Sequence, residues 1–283
     1  MKKGTKRGRP FRRRRLAHEL IDVRERLGLT AEQAAKLASV SQSTISRVES
    51  AEVSVQPRTL RAILDAYEVT DDQREALLAL SRSLNQEAWW HAFGDVVPDW
   101  LEIYVDLEAE TSSLAVYSVQ FIDGLLQTED YARAVYMAGR LDEAAEATER
   151  HVKLRMERQK RVLSGEMVLE IIMEEWVLSR RYGSQAVMRE QLRHILDIAQ
   201  LRNVRLQLLP KKRQPNVVGS FALLDFPDVL DPTVVYIEHE AGALYVEQPD
   251  QVRRYAHAYD ALRASALSPE ESHDVIADLA KDV

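Results

Sequence analysis

The 283-residue chain contains no cysteine. That excludes disulfides, thiolate metal sites and thiol redox chemistry, and it is compatible with a reducing compartment. Long hydrophobic runs are missing too. Nothing approaches the roughly 20 apolar residues of a membrane span, and the basic N-terminus lacks the apolar segment of a signal peptide, so a cytoplasmic protein without a membrane partner is expected. No Gly-rich phosphate loop, G-x-S-x-G elbow or H-E-x-x-H pair occurs, and there is no internal repeat. The expectation is therefore a protein that is not an enzyme, with no catalytic residues, no cofactor and no metal.

What is present is divided by charge. The net charge of −7 hides a basic head and an acidic body. Residues 1–90 hold 17 Lys and Arg against 12 Asp and Glu, and residues 91–283 hold 21 against 33. Only the head is suited to nucleic acid, because phosphates repel the body. Residues 1–15 carry nine Lys or Arg and no acid, which predicts a disordered basic arm in which Arg12, Arg13, Arg14 and Arg15 lie along phosphates. Within it, Lys6 to Pro10 (KRGRP) resembles the core of an AT-hook, which lies in the minor groove; the other reading is a non-specific phosphate-binding arm.

Thr30 to Ser50 reads as two short helices joined by a tight turn. Thr30 and Gln33 have the spacing of a capping box. Ala34, Ala35 and Ala38 form a small inward face, Val40 fills the turn, and Ser41 caps a second helix whose inner face is Ile45 and Val48. The outer face of that helix carries Gln42, Ser43, Thr44, Ser46 and Arg47, groups suited to base edges in the major groove of double-stranded DNA. A first helix over Leu16–Leu27 is expected, with Leu16, Leu20, Val23 and Leu27 on one face and Gly28 ending it. A fourth begins at Pro57, placing Arg58 and Thr59 where helix-end amides favour a phosphate. A fifth spans Asp71–Arg82. The chain thus divides into the arm (1–15), an all-α five-helix DNA-binding domain (16–83), a junction (84–99) and a regulatory domain (100–283).

The segment resembles the helix-turn-helix of the Cro/phage-repressor family, also called the xenobiotic-response-element family. Ala35 stands where that family has a small residue, and Ser39 where it usually has a turn glycine. Arg24 and Glu49 match its Arg–Glu pair, which is better read as orienting helices than as adding stability. The resemblance implies a homodimer on two half-sites, with Gln42, Ser43, Thr44 and Arg47 reading bases and Arg58 and Thr59 holding backbone.

In the junction, Trp89, Trp90 and His91 read as interdomain packing, the other reading being an aromatic ligand cage. A helix is expected from Trp100 with acids on its outer face, then a strand at Ala115–Phe121. A Gly-centred turn follows, leading into a helix capped by Thr128. Asp142–Ser164 predicts a long helix whose Lys153, Arg155, Arg158, Lys160 and Arg161, interleaved with Glu149 and Glu157, read as a solvated face. Strands are predicted at Val168–Met173, Val204–Leu209, Phe221–Phe226, Val234–Ile237 and Ala243–Val246, and helices at Trp176–Tyr182, Ser184–Leu201, Gln248–Ala264 and from Ser268. This is an α+β domain with a mixed sheet, read as partly doubly wound. Glu174 and Glu175 read as a solvated strand end, and Lys211, Lys212 and Arg213 as a solvated loop or one closing over an acidic partner. In Glu238, His239 and Glu240, alternation along a strand keeps the three from one metal ion.

Gly124, Leu125, Leu126, Gln127 and Thr128, then Tyr131, Ala132, Arg133 and Ala134, resemble a PGLLQT-x-x-YARA segment. Actinobacterial regulators with a Cro-like head share it in an uncharacterised C-terminal domain, in which the pattern of Arg155, Arg158 and Gln159 also recurs. Asp123 replaces the proline. That resemblance implies a sensor or partner-binding module, often served by a small partner protein encoded nearby. The alternative is an enzyme or small-molecule-binding domain with an autoregulatory DNA-binding head.

Overall fold

Alternating apolar spacing and end signals give a helical first unit and a sheet-based second unit, which divide between His91 and Ala92. The computed structural model describes residues 11–83, 93, 97–139, 144–212, 219–227, 231–239 and 241–282. The KRGRP arm, Trp89, Trp90, His91, Arg213 and Glu240 lie outside the described residues.

The first unit holds α1 (Phe11–Arg26), α2 (Ala31–Leu37), α3 (Gln42–Glu49), α4 (Pro57–Ala66) and α5 (Asp71–Ser83). Helix α1 begins at Phe11, not at Leu16. Phe11 to Arg15 are therefore helix and not free arm, because arginine is a good helix former and the next turns are anchored by buried Leu16, Ala17 and Leu20. The shared core joins Leu16 and Leu20 to Ala34, Ala35, Ala38, Ile45, Val48, Leu60, Ile63, Leu64 and Leu77. Leu27 departs from the expected face. It is 48% exposed, since Gly28 (φ 66°) turns the chain away at the helix end.

The second unit is built on one six-stranded sheet in the order β3-β2-β1-β4-β5-β6. The strands are β1 (Ser113–Ser118), β2 (Val168–Glu174), β3 (Val204–Leu209), β4 (Phe221–Asp225), β5 (Val234–His239) and β6 (Gly242–Val246). The first three are parallel and β4 to β6 form an antiparallel meander. The sheet thus grows outward from β1 in both directions, with parallel crossovers on one side and the antiparallel meander on the other, so only the β1–β3 half has the parallel winding of a doubly wound sheet. Helices are α6 (Asp99–Glu110), α7 (Glu129–Gly139), α8 (Ala145–Leu163), α9 (Gln185–Ile198), α10 (Pro249–Ser265) and α11 (Pro269–Asp282). Tyr255, Tyr259 and Leu262 of α10 pack on Tyr117, Ile172, Phe221, Leu223 and Val235 of one sheet face. On edge strand β3 the groups of Leu208 are taken up by the α10–α11 turn and the start of α11: Leu208 N–H donates to Ser272 Oγ at 2.9 Å and Leu267 N–H to the Leu208 carbonyl at 2.9 Å. Covering an edge this way removes a template for aggregation.

Helix α8 corrects a second expectation. Lys153 and Lys160 are exposed, but Arg155, Arg158 and Arg161 turn inward. Arg158 forms a bidentate pair with Glu108 of α6 at 2.8 and 2.7 Å, with side-chain exposures of 12% and 5%. Glu108 is thus an exception to the outward acids of α6. The Arg158 guanidinium also lies over the Tyr104 ring, 5.0 Å from its centre. Arg161 donates to the carbonyls of Glu108 and Thr111, the latter at 2.9 Å, satisfying the end of α6. Gln159 Nε2 donates to the carbonyls of Gly124 and Gln127 at 2.8 and 2.7 Å. Gln127, fully buried, donates to the Ile122 carbonyl at 2.6 Å and accepts from Arg155 at 2.5 Å. Gly124 lets Arg155 pack closely, because a Cβ there would stand 3.3 Å from Arg155 Nε, tighter than an ordinary contact.

Breaking a buried pair leaves an uncompensated charge. Glu108→Leu is therefore expected to cost about 3–5 kcal/mol in urea unfolding, while Glu108→Leu with Arg158→Met should recover most of that loss.

Candidate nucleic-acid interface

The geometry of α2 and α3 is set by their caps. Thr30 and Gln33 form the reciprocal capping box, with Gln33 N–H to Thr30 Oγ1 at 3.2 Å and Thr30 N–H to Gln33 Oε1 at 2.8 Å. Ser41 Oγ accepts the Thr44 N–H at 3.1 Å and starts α3. The turn between them passes through Ser39 at φ 53°, the left-handed conformation that favours glycine. Ala35 is buried beneath α3, where only a small side chain lets the helices cross closely.

With Ile45 and Val48 buried, α3 presents Gln42, Ser43, Ser46 and Arg47 to solvent, and Thr44 is half-buried. These residues share one outer face without an acid. Ser43 and Thr44 are less free than their exposure indicates, since both hydroxyls lie 2.8 Å from Ser41 Oγ. Each hydroxyl retains acceptor capacity, but the network fixes its direction. Gln42, Ser46 and Arg47 make no such local bond among the described residues.

Arg24 Nε donates to Glu49 Oε1 at 2.6 Å, joining α1 to the end of α3, and its Nη1 donates to the Leu29 carbonyl at 2.8 Å. The hydrogen bond to Glu49 raises the Arg24 pKa. Buried beside the pair, the Tyr67 hydroxyl is pushed up to about 12, first by desolvation and then by the Glu49 charge. At the start of α4, Pro57 occupies the first turn and the preceding Gln56 makes no side-chain cap. Arg58 is exposed there and Thr59 half-buried, beside helix-end amides without a capping side chain. Arg12, Arg13, Arg14 and Arg15 fall in the first turns of α1; Arg13, Arg14 and Arg15 are half-buried.

The α+β unit contains ionisable groups that reading by periodicity leaves unconnected: Glu108, Asp123, Arg155 and Arg158 beside Tyr104 and Tyr236. The i, i+3, i+4 spacing of Arg155, Arg158 and Gln159 was the available signal. Other groups there are engaged: Glu174 accepts from the Tyr117 hydroxyl at 2.6 Å, and Lys211 lies at Glu175. The solvated strand end does not describe Glu174, whereas Lys211 and Lys212 remain exposed, in keeping with the solvated-loop reading. His239 Nδ1 accepts from Ala241 N–H at 3.2 Å. Among the described residues, no group of three or more His, Asp or Glu is placed to hold a metal ion, and no helix is long and apolar enough to cross a membrane.

The head is thus a helix-turn-helix, the architecture of DNA-binding regulators, and residues 15–77 match the family described as a helix-turn-helix domain. Residues 101–278 match a domain of unknown function, DUF5753, and the chain belongs to that family. No curated protein and no solved structure is significantly similar to it.

Ser39 offers a direct check on the turn. Ser39→Gly relieves the left-handed strain at the expense of some unfolded-state entropy, and is expected to stabilise the head by about 0.5–1 kcal/mol in thermal unfolding.

Proposed function

We propose that the chain is a sequence-specific transcriptional regulator of the Cro/repressor-like (xenobiotic-response-element) kind, of the type found in actinobacteria, acting in the cytoplasm on nucleoid DNA. The observation that carries this reading is the acid-free outer face of α3, held on a capped and core-anchored helix. Gln42 and Arg47 are the principal base readers, with Ser43 and Thr44 supporting them through hydroxyls oriented by Ser41. Arg58 and Thr59 hold a phosphate at the start of α4. The basic residues from the N-terminus to Arg15 add sequence-independent attraction. Arg24, Glu49 and Ala35 position α3 without touching DNA. A homodimer on two half-sites follows from the family resemblance, and the DUF5753 domain controls it by receiving a small partner protein or ligand.

A second reading is supported by the raised pKa of Asp123, a half-buried carboxyl pushed up first by desolvation. In it the α+β unit is primarily a small-molecule-binding or enzymatic domain, and the head serves to regulate its own gene.

The experiment is binding of the full-length protein to its own upstream DNA, titrated across salt against a scrambled duplex. Preference for the upstream DNA supports the regulator; equal binding to both leaves a basic head without sequence reading. Arg47→Ala should relax one operator position, removing about 1–3 kcal/mol of discrimination there. Equal loss on operator and random DNA would count against that role. Deleting residues 1–10, which hold five Lys or Arg and precede α1, should weaken binding to all sequences and flatten its salt dependence.

A further inference from the structure

Helices α1 to α4 of the head end in the same way. Just past each one the chain turns left-handed, at Gly28, Ser39, Ala51 and Glu68, with φ of 66°, 53°, 53° and 48°. Each turn is closed by the long backbone bond of a Schellman motif. Leu29 N–H donates to the Arg24 carbonyl at 3.1 Å, Val40 to Ala35 at 2.9 Å, Glu52 to Arg47 at 2.9 Å and Val69 to Leu64 at 3.5 Å. Only the first of the four left-handed residues is glycine. In the α+β unit the positive-φ positions among the described residues are Gly165, Gly183 and Gly242, glycine in every case. Left-handed strain among the described residues is therefore confined to the head, and there to the ends of α2, α3 and α4. It brackets the recognition helix on both sides.

At two of these sites no contact offsets the strain. Ser39 and Glu68 are exposed, and neither side chain makes a hydrogen bond or ion pair among the described residues. Ala51 is buried, so its methyl recovers part of its cost. The same stretch has little else to hold it. Helices α2, α3 and α4 span 7, 8 and 10 residues, lengths that depend on tertiary packing to persist. Yet α2 buries only Ala34 and Ala35, and α3 only Ile45 and Val48; Leu60, Ile63 and Leu64 of α4 supply the larger side chains. In the other unit α8, α9 and α10 run to 19, 14 and 17 residues. A left-handed residue is costly only while the chain is folded around it, so opening returns the strain. Each such residue lowers the free energy of opening in the segment that carries it.

We propose that α2–α4 opens on warming before the sheet of the α+β unit does, and that this opening is a built-in thermal release of DNA. When α3 opens it loses the Ser41 cap and the Arg24–Glu49 bond that aim its outer face, so the open state does not read bases. Bound DNA favours the closed state by mass action, and release falls where that gain no longer covers the cost of closing. Strain at the helix ends sets this point low while leaving the closed geometry intact. The release rests on the regulator reading; the order of opening does not.

The test is hydrogen exchange of the full-length protein, resolved by segment with mass spectrometry. The slowest amides of α2–α4 should be about tenfold or more less protected than the slowest of β1, β2 and β3. Calorimetry should show the head melting in a transition of its own, ahead of the sheet. Ser39→Gly combined with Glu68→Gly should raise that first transition by about 5–15 °C and leave the second in place. Gly28→Ala adds the same strain at the one unstrained end without a clash, since nothing lies within 4 Å of a Cβ there. It should lower the first transition by about 2–8 °C. On the upstream DNA, wild type and double variant should bind equally in the cold and diverge on warming, the variant several-fold tighter near the first transition. Early opening is overturned if α2–α4 is as protected as the strands, if both units melt together, or if the double variant leaves the first transition unmoved. Tighter binding by the variant in the cold would assign the two residues to DNA contact and overturn thermal release. If the wild type prefers its upstream DNA at no temperature, the regulator reading and the release fall together, and the exchange pattern still decides which region opens first.

Discussion

Glu108 and Arg158 meet as a bidentate pair with almost no access to water, and the α+β unit is arranged around that contact. Burying both ions costs several kcal/mol apiece before their attraction returns it, so the pair is weak as a source of net stability and strong as a specification of geometry. It fixes α6 against α8. With α8 set, Gln159 is aimed at the carbonyls of the 124–127 turn, Arg161 at the end of α6, and Arg155 at Gln127. A turn whose backbone would otherwise be buried without partners is thereby satisfied from a helix more than 30 residues away. From the other side, fully buried Gln191 of α9 donates to the Leu126 carbonyl and accepts the Thr128 N–H.

The same device occurs in the head on a smaller scale. Arg24 and Glu49 tie α1 to the end of α3, 25 residues apart, at a position only slightly more exposed. Apolar packing beneath α3 is carried by alanines and two β-branched residues, which resist sliding weakly; the directional hydrogen bond supplies orientation that such a smooth interface does not. The start of α3 is fixed separately by Ser41, whose hydroxyl draws Ser43 and Thr44 into one cluster. The outer polar face of this helix therefore divides between side chains that make no local bond among the described residues, Gln42 and Arg47, and hydroxyls already engaged by the cap.

Much of this was legible in the chain. The T-x-x-Q spacing predicted the capping box, the alanine pattern the crossing of α2 and α3, and Val204–Leu209 reads as a strand, though not as the edge one. The failures share a cause. Arg12 to Arg15 read as arm because charge density was weighed above helix propensity, although Leu16 and Leu20 anchor the turns that follow. Arg155, Arg158 and Arg161 read as solvated because nothing local marks an arginine that will be buried; its partner, Glu108, is 50 residues away, where a one-dimensional period is blind. Lys211 and Glu175 were likewise separate features until the parallel strands β2 and β3 brought their ends together.

The departures from the two motif patterns differ in kind. Ser39 takes a glycine's place in a left-handed turn and brings only strain. Asp123 takes a proline's place at φ −56°, within the range that proline would impose, and its carboxylate accepts the Leu125 N–H that opens the turn. Conformationally the exchange is therefore nearly neutral, since a capping side chain does the work of a fixed ring. Electrostatically it is not. Proline would remove a carboxylate from the surroundings of Arg155, whereas Asp123 adds an acceptor and a negative charge there. A single substitution that preserves the turn thus changes the charge around Arg155, and the electrostatics of this cluster are separable from the fold of the turn.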